Sequence, residues 1–301
     1  MNERPIYLTT TGGHTLLAFY HQPISPAGPA VALAAGGWLG TSSDRNRALV
    51  RMARALADDG TPVVRFDYHG VGDSDGVAGK FDLRRPFVSD LSAAVEWLSA
   101  NGHPSIVPIG ICFGARTAMS VAASCPESIA GLVLISCPLH VRAGRVAEKI
   151  AGRLSFREMF RRALRFDPRQ LTDPTIRRVV AKGVRAVWKT RVLRRGPVPN
   201  AARLTPQIDQ DVMESIAALL PPAEVLFIYG PDEVDVTVEE LRHRPDAVMP
   251  ASAVRRVELC SVPIQGFARA VAYDQVLGHV TDHLRRVQAS QLSGARDGGR
   301  P

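Results

Sequence analysis

Short unbroken apolar runs alternate along the chain with stretches in which apolar residues recur every three or four positions. VALAAGG (31–37) is a run of the first kind, and PVVRFDY (62–68), IVPIGIC (106–112), GLVLISC (131–137), EVLFIYG (224–230) and AVRRVELC (253–260) also read as strands. A strand buried on both faces needs such a run, because neither side can carry polar residues. Between them, 45–59 has helical spacing, with Leu49, Met52 and Leu56 on one face. The segments 91–99, 115–123, 215–220, 236–242 and 273–287 also read as helices. Strands alternating with helices predict an α/β fold with a doubly wound, mostly parallel sheet and right-handed crossovers. Two β-type runs at the start, 6–10 and 15–20, flank Gly12 and Gly13 and predict a hairpin. The last residues, 289–301, are polar and Gly-rich and are expected to be a disordered tail.

One region breaks the rhythm. From 141 to 204 the chain carries 18 Lys and Arg against four Asp and Glu, a surplus of 14 that leaves the remainder at −6 within a total of +8. Pro168, Pro174, Pro197 and Pro199 divide it into several expected helices. The organisation that follows is a core over 1–140, a basic helical cap over 141–214, the second part of the core over 215–288, and the tail. The basic surplus fits either the solvated face of a helical segment or a surface attracting an acidic substrate or carrier protein. Nucleic acid is disfavoured, since neither Cys/His finger spacing nor an aromatic RNA-binding signature is present.

With 301 residues, 46% of them hydrophobic and 22% charged, the chain can bury a full core. No apolar run approaches the ~18 residues of a membrane span, and the opening MNERPIYLTTTGG has no apolar leader, so a cytoplasmic location is expected. Cys112, Cys125, Cys137 and Cys260 are too few and too scattered for a disulfide framework or a CxxC pair and read as free thiols. The acidic DEVDV lacks the spacing of a calcium loop. No metal and no cofactor are expected.

The pattern carrying the most chemistry is Gly110-Ile111-Cys112-Phe113-Gly114, at the junction of a strand and a helix. A nucleophile on so sharp a turn needs glycine at the flanking positions, where a side chain would collide with neighbouring backbone. At a helix N-terminus the thiol is expected to have a lowered pKa, and the Phe113 N–H would face an oxyanion. In isolation the same five residues also fit a buried structural cysteine.

Three further motifs accompany the turn: AAGGWLG (34–40), RFDYHGVGDSDG (65–76) and FIYGPDEVD (227–235). Together they resemble the α/β-hydrolase superfamily over nearly the whole chain, and the Cys elbow is similar to its cysteine-nucleophile subset, some of it found in biosynthetic gene clusters. The resemblance implies a GxCxG elbow with Cys112 as nucleophile and a second oxyanion amide from Gly37 or Trp38 beside that of Phe113. It also implies a triad acid at Glu233, three residues after Gly230, with Asp232 and Asp235 as competitors, and a cap covering the site.

The expected catalytic His is missing. Where the superfamily places it, the chain reads Val262-Pro263-Ile264-Gln265-Gly266-Phe267, and an amide cannot take up a proton at neutral pH. His140, after the strand that ends at Cys137, and His69, in the loop after the 62–68 strand, are the candidate surrogate bases; either can instead be structural. His14, His21 and His103 are expected at the surface. Trp38 would line the pocket or pack beside it, and Arg116 is an ion-pairing residue or a substrate anchor.

These residues imply an enzyme using Cys112 on an acyl ester or thioester, by hydrolysis or acyl transfer, with Glu233 and Gln265 positioning substrate or water. The acyl group would be a small-molecule substrate, delivered in one version by an acidic acyl-carrier protein docked on the basic cap. Two other readings stay open: a degenerate hydrolase-like binding protein, and a non-hydrolytic enzyme for elimination or cyclisation that reuses the oxyanion pocket.

Overall fold

The computed structural model describes residues 1–37, 40–77, 87–140, 208–219, 223–248, 254–264, 267 and 269–297. By contacts, Met1–His140 and Pro206–Pro301 form one compact unit and Val141–Thr205 another; every described residue lies in the first. The expected cap therefore falls outside the described residues, except for its last few positions.

The described strands form one eight-stranded sheet in the order β1-β2-β4-β3-β5-β6-β7-β8. Its centre is built from Ala30–Ala34 (β3), Val63–Phe66 (β4), Ile106–Ile111 (β5) and Gly131–Ile135 (β6), each buried along its whole length. Glu224–Tyr229 (β7) and Val254–Leu259 (β8) continue the parallel array. Asn2–Thr9 (β1) and Thr15–Gln22 (β2) form the expected hairpin, in register from Asn2↔Gln22 to Thr9↔Thr15, and β2 joins the sheet antiparallel to β4. Buried and exposed positions mix along these two strands, whereas β3 to β6 have no exposed position.

The helices are Ala48–Asp58 (α1), Val88–Ala100 (α2), Phe113–Ser124 (α3), Gln210–Ala217 (α4), Val236–His243 (α5), Pro245–Val248 (α6) and Ala270–Asp297 (α7). The chain leaves β3 for β4 on one side and returns to β5 on the other. The loops after β3 and β5 therefore part at a topological switch point, where open α/β sheets leave a crevice for ligands.

Two helices depart from the sequence reading. Helix α4 starts five residues earlier than its apolar spacing suggests, because Arg116 of α3 pairs with Asp209 at its N-cap position and Asp211 in its first turn. Helix α7 runs to Asp297, well past the start of the expected tail at 289. Its polar extension is held to the sheet: Ser290 Oγ donates to Glu224 Oε1 at 3.4 Å, and the Gln291 amide donates to Ser105 Oγ. Nor is His21 at the surface. It is fully buried on β2, accepting from Arg65 Nε at 2.9 Å, and burial together with the Arg65 charge lowers its pKa to about 4.

Candidate active site

The turn between β5 and α3 has the conformation that its glycines require. Cys112 sits at φ 48°, ψ −105°, a left-handed setting that non-glycine residues rarely adopt. A Cβ on Gly110 would collide with the Gly114 carbonyl and the Ala115 nitrogen, and one on Gly114 would strike the carbonyls of Ala34 and Ala35. Both glycines are thus demanded by contact between β5, α3 and β3. The Cys112 N–H donates to Ile135 O at 2.8 Å, anchoring the turn to β6. Cys112 is exposed, and the Phe113 N–H donates to its sulfur.

The electrostatics run against the expected acidic thiol. Although the residue reaches solvent, its thiol is crowded by protein, and desolvation pushes its pKa above the ordinary value. The carboxylates of Glu233 and Asp44 push the same way, while the Phe113 N–H and Arg45 oppose them. The helix terminus does favour thiolate, as the sequence suggests, but desolvation and two negative charges outweigh it.

Beside the elbow lies the loop after β3. Gly36 N–H donates to Asp44 Oδ2 at 2.9 Å, Gly40 N–H to Gly37 O at 2.8 Å, and Tyr68 Oη to Ala35 O at 3.2 Å. A Cβ on Gly36 would lie 3.0 Å from Ile111 Cγ2 and 3.1 Å from Asp44 Oδ2, so the backbone passes too close for a larger residue. Gly37 belongs to this loop, while Trp38 lies outside the described residues.

After β7, Glu233 Oε2 accepts from Ser136 Oγ at 2.8 Å and from Gly230 N–H at 3.0 Å. Asp235 is committed elsewhere, since its Oδ1 caps α5 through the Thr237 and Val238 amides at 3.0 and 3.1 Å. Of the two histidines, His140 faces Asp235, with Nε2 3.5 Å from Oδ2. His69 turns Nδ1 to both oxygens of fully buried Asp90 at 2.9 Å, stacks on His14 at 4.8 Å and meets Phe87 edge-on. Among the described residues, then, each imidazole pairs with a carboxylate of its own and neither hydrogen-bonds Cys112. Gln265 lies outside the described residues; its neighbour Phe267 donates its N–H to Ile264 O at 2.8 Å.

Sequence reasoning missed Ser136 and Asp44. Both have positive φ, 52° and 53°, as do Asn46, Arg47, Cys112 and Phe267. All six follow the C-terminal ends of strands, and sparsely populated backbone of this kind collects at functional sites. The only hint in the sequence was position, since Ser136 directly follows a strand next to the one bearing Cys112. Arg116 proves to be an ion-pairing residue: it is buried, donating Nη2 to Asp209 and Asp211 at 3.2 and 2.6 Å and Nη1 to Pro138 O at 3.3 Å. Among the described residues no group of three or more His, Cys, Asp or Glu could hold a metal ion, and no helix is long and apolar enough to cross a membrane.

Comparison with known proteins agrees with this architecture. Residues 42–191, just under half of the chain, match the family described as serine aminopeptidase, S33. A curated relative, an uncharacterized protein of Rickettsia prowazekii, is 32% identical over 123 residues; the match takes in 40% of this chain and spans about half (50%) of the relative's length. Among solved structures, an esterase of Pyrococcus furiosus superposes with a TM-score of 0.59 at 18% identity, covering 95% of this chain and 92% of its own. An alpha/beta hydrolase from a Penicillium species gives 0.60 at 18%, covering 96% and 100%. A proline iminopeptidase of Mycobacterium smegmatis gives 0.58 at 16%, again covering 96% and 100%.

Proposed function

Starting from an α/β-hydrolase fold and findings that support a superfamily member of esterase- or peptidase-like kind, we propose that the chain is an acyl-handling enzyme with Cys112 as its nucleophile. One observation carries the reading: Cys112 stands exposed at φ 48° between two obligatory glycines, with the Phe113 amide directed at its sulfur. The substrate is an acyl ester or thioester. As the sulfur attacks the carbonyl, a C–S bond forms, and the oxyanion is held by the amides of Phe113 and of Gly37 or Trp38. On collapse, the bond to the leaving alkoxide or thiolate breaks, and that group departs with the proton that Cys112 gives up. Glu233, fixed by Ser136 and Gly230, positions substrate or water together with Gln265.

The Gln at 265 shifts the balance between the two half-reactions. Acylation by a sulfur nucleophile tolerates the loss of an imidazole, since a departing thiol needs little protonation. Attack of water on the acyl-enzyme does not, and lacking a general base costs about 10² to 10⁴ in rate. Transfer to a better nucleophile than water is thereby favoured over hydrolysis. The basic 141–204 stretch, read as part of a cap, supplies the charge to dock an acidic acyl-carrier protein.

With p-nitrophenyl acetate, the wild type is expected to release about one equivalent of nitrophenolate per chain and then turn over slowly. Gln265→His should raise the slow phase at least tenfold. Absence of both the burst and the gain contradicts the proposal. The raised thiol pKa favours a second reading, a protein that holds an acyl ligand without covalent turnover. No burst, combined with a ligand-dependent rise in melting temperature, would select it.

A further inference from the structure

Asp44 is in an unusual position for a residue with a side chain. Its backbone is at φ 53°, ψ −177°, a region that essentially only glycine occupies, and Asn46 and Arg47 just beyond it are also left-handed. Such a conformation persists only where its surroundings hold it. Here the Asp44 N–H donates to Thr41 O at 3.0 Å, and Oδ2 accepts the Gly36 N–H at 2.9 Å. The carboxylate thus closes a ring across the loop after β3, from the residue before Gly37 to the start of α1. Glycine would suit this backbone better, so the strain is retained along with the side chain.

We propose that Asp44 is a positioning residue of the acyl site, its carboxylate fixing the Gly36–Gly37 turn so that the Gly37 amide is aimed at the carbonyl held on Cys112. This deepens the acyl-enzyme reading and rests on it. The carboxylate has a second effect: after desolvation and Glu233, its charge also disfavours thiolate at Cys112. The two effects separate by substitution: Asn keeps an oxygen for the Gly36 N–H while losing the charge and the bond that Oδ1 accepts from the Arg45 N–H, whereas Gly relieves the backbone and loses all three.

Three measurements on the full chain test this. Hydrogen exchange at Gly36 should accelerate at least tenfold in Asp44→Gly and stay near wild type in Asp44→Asn, with both variants melting within about 3 °C of wild type. Iodoacetamide labelling of Cys112 against pH should show a lower midpoint in both variants. The p-nitrophenyl acetate burst should slow at least tenfold in Asp44→Gly and at most about threefold in Asp44→Asn. Unchanged exchange at Gly36 in Asp44→Gly overturns the proposal whether or not the wild type acylates. An unchanged burst rate in that variant does the same. A wild type that is alkylated but gives no burst counts against the acyl-enzyme reading, and the exchange result then still decides whether Asp44 fixes the turn.

Discussion

The two rims of the sheet differ in which residues take left-handed backbone. At the N-terminal ends of β3, β4 and β5 the positive-φ positions are glycines, Gly28, Gly60 and Gly102, which take that conformation without steric cost. At the C-terminal ends glycines take it in the loop after β4, at Gly70, Gly72 and Gly76, but in the loops after the other parallel strands it falls on residues with side chains, including Asp44, Cys112, Ser136 and Phe267, each at a cost on the order of 1 kcal/mol or more. One rim is optimised for folding. The other keeps specific functional groups, a thiol, a hydroxyl and a carboxylate, in places where glycine would be more stable.

The largest expected effect lies at the elbow. In Gly114→Ala the new methyl meets two carbonyls of the β3 end, which cannot yield without shifting the sheet. A loss of about 3 kcal/mol is expected from urea unfolding. A loss below 1 kcal/mol would show that the turn is looser than its contacts imply.

Acid should act through a different part of the fold. His283 of α7 is 1% exposed, and burial lowers its pKa to about 4, with Arg256 and Arg286 adding to the effect and the Glu224 backbone opposing it. A histidine depressed in the folded state contributes stability that is full above its unfolded value near 6.5 and lost as pH falls toward 4, up to about 3 kcal/mol for one group. Buried His21 titrates over the same window. His283→Leu should therefore flatten the fall of melting temperature between pH 6.5 and 4. An unchanged slope would place the acid sensitivity elsewhere.

The smallest effects give the sharpest contrast between the rims. Ser136→Gly relieves a φ of 52° but removes the hydroxyl that holds Glu233, so stability should change by less than about 1 kcal/mol while the acylation rate falls about tenfold. Gly102→Ala, at φ 85° with open space around it, should cost about 1 kcal/mol and leave that rate unchanged. If Ser136→Gly kept full activity, the strain at that rim would have no link to function.

What could be read from the sequence follows from the range of the interactions involved. The buried strands were legible because burial on both faces leaves β3, β5 and β6 wholly apolar, with Arg65 of β4 the one charged position among the four. The elbow was legible because sterics within five residues dictate its glycines. The thiol's direction of shift was not, since it depends first on desolvation by the packed fold and then on Glu233 and Asp44, which the fold brings in from other strand ends. The partners of His140 and His69 depend likewise on residues of other elements, Asp235 and Asp90. Helix α7 outran its apolar pattern because its polar residues bond to the sheet rather than to solvent.

The central claim is that the Cys112 sulfur forms a covalent bond to an acyl carbon. Incubating the full chain with an activated acyl thioester and measuring intact mass, with the modified peptide located, tests it most directly. A shift of one acyl group on Cys112, absent in Cys112→Ala, is expected. A wild type that gains no mass while its thiol still reacts with iodoacetamide, or a shift that persists in Cys112→Ala, would contradict it.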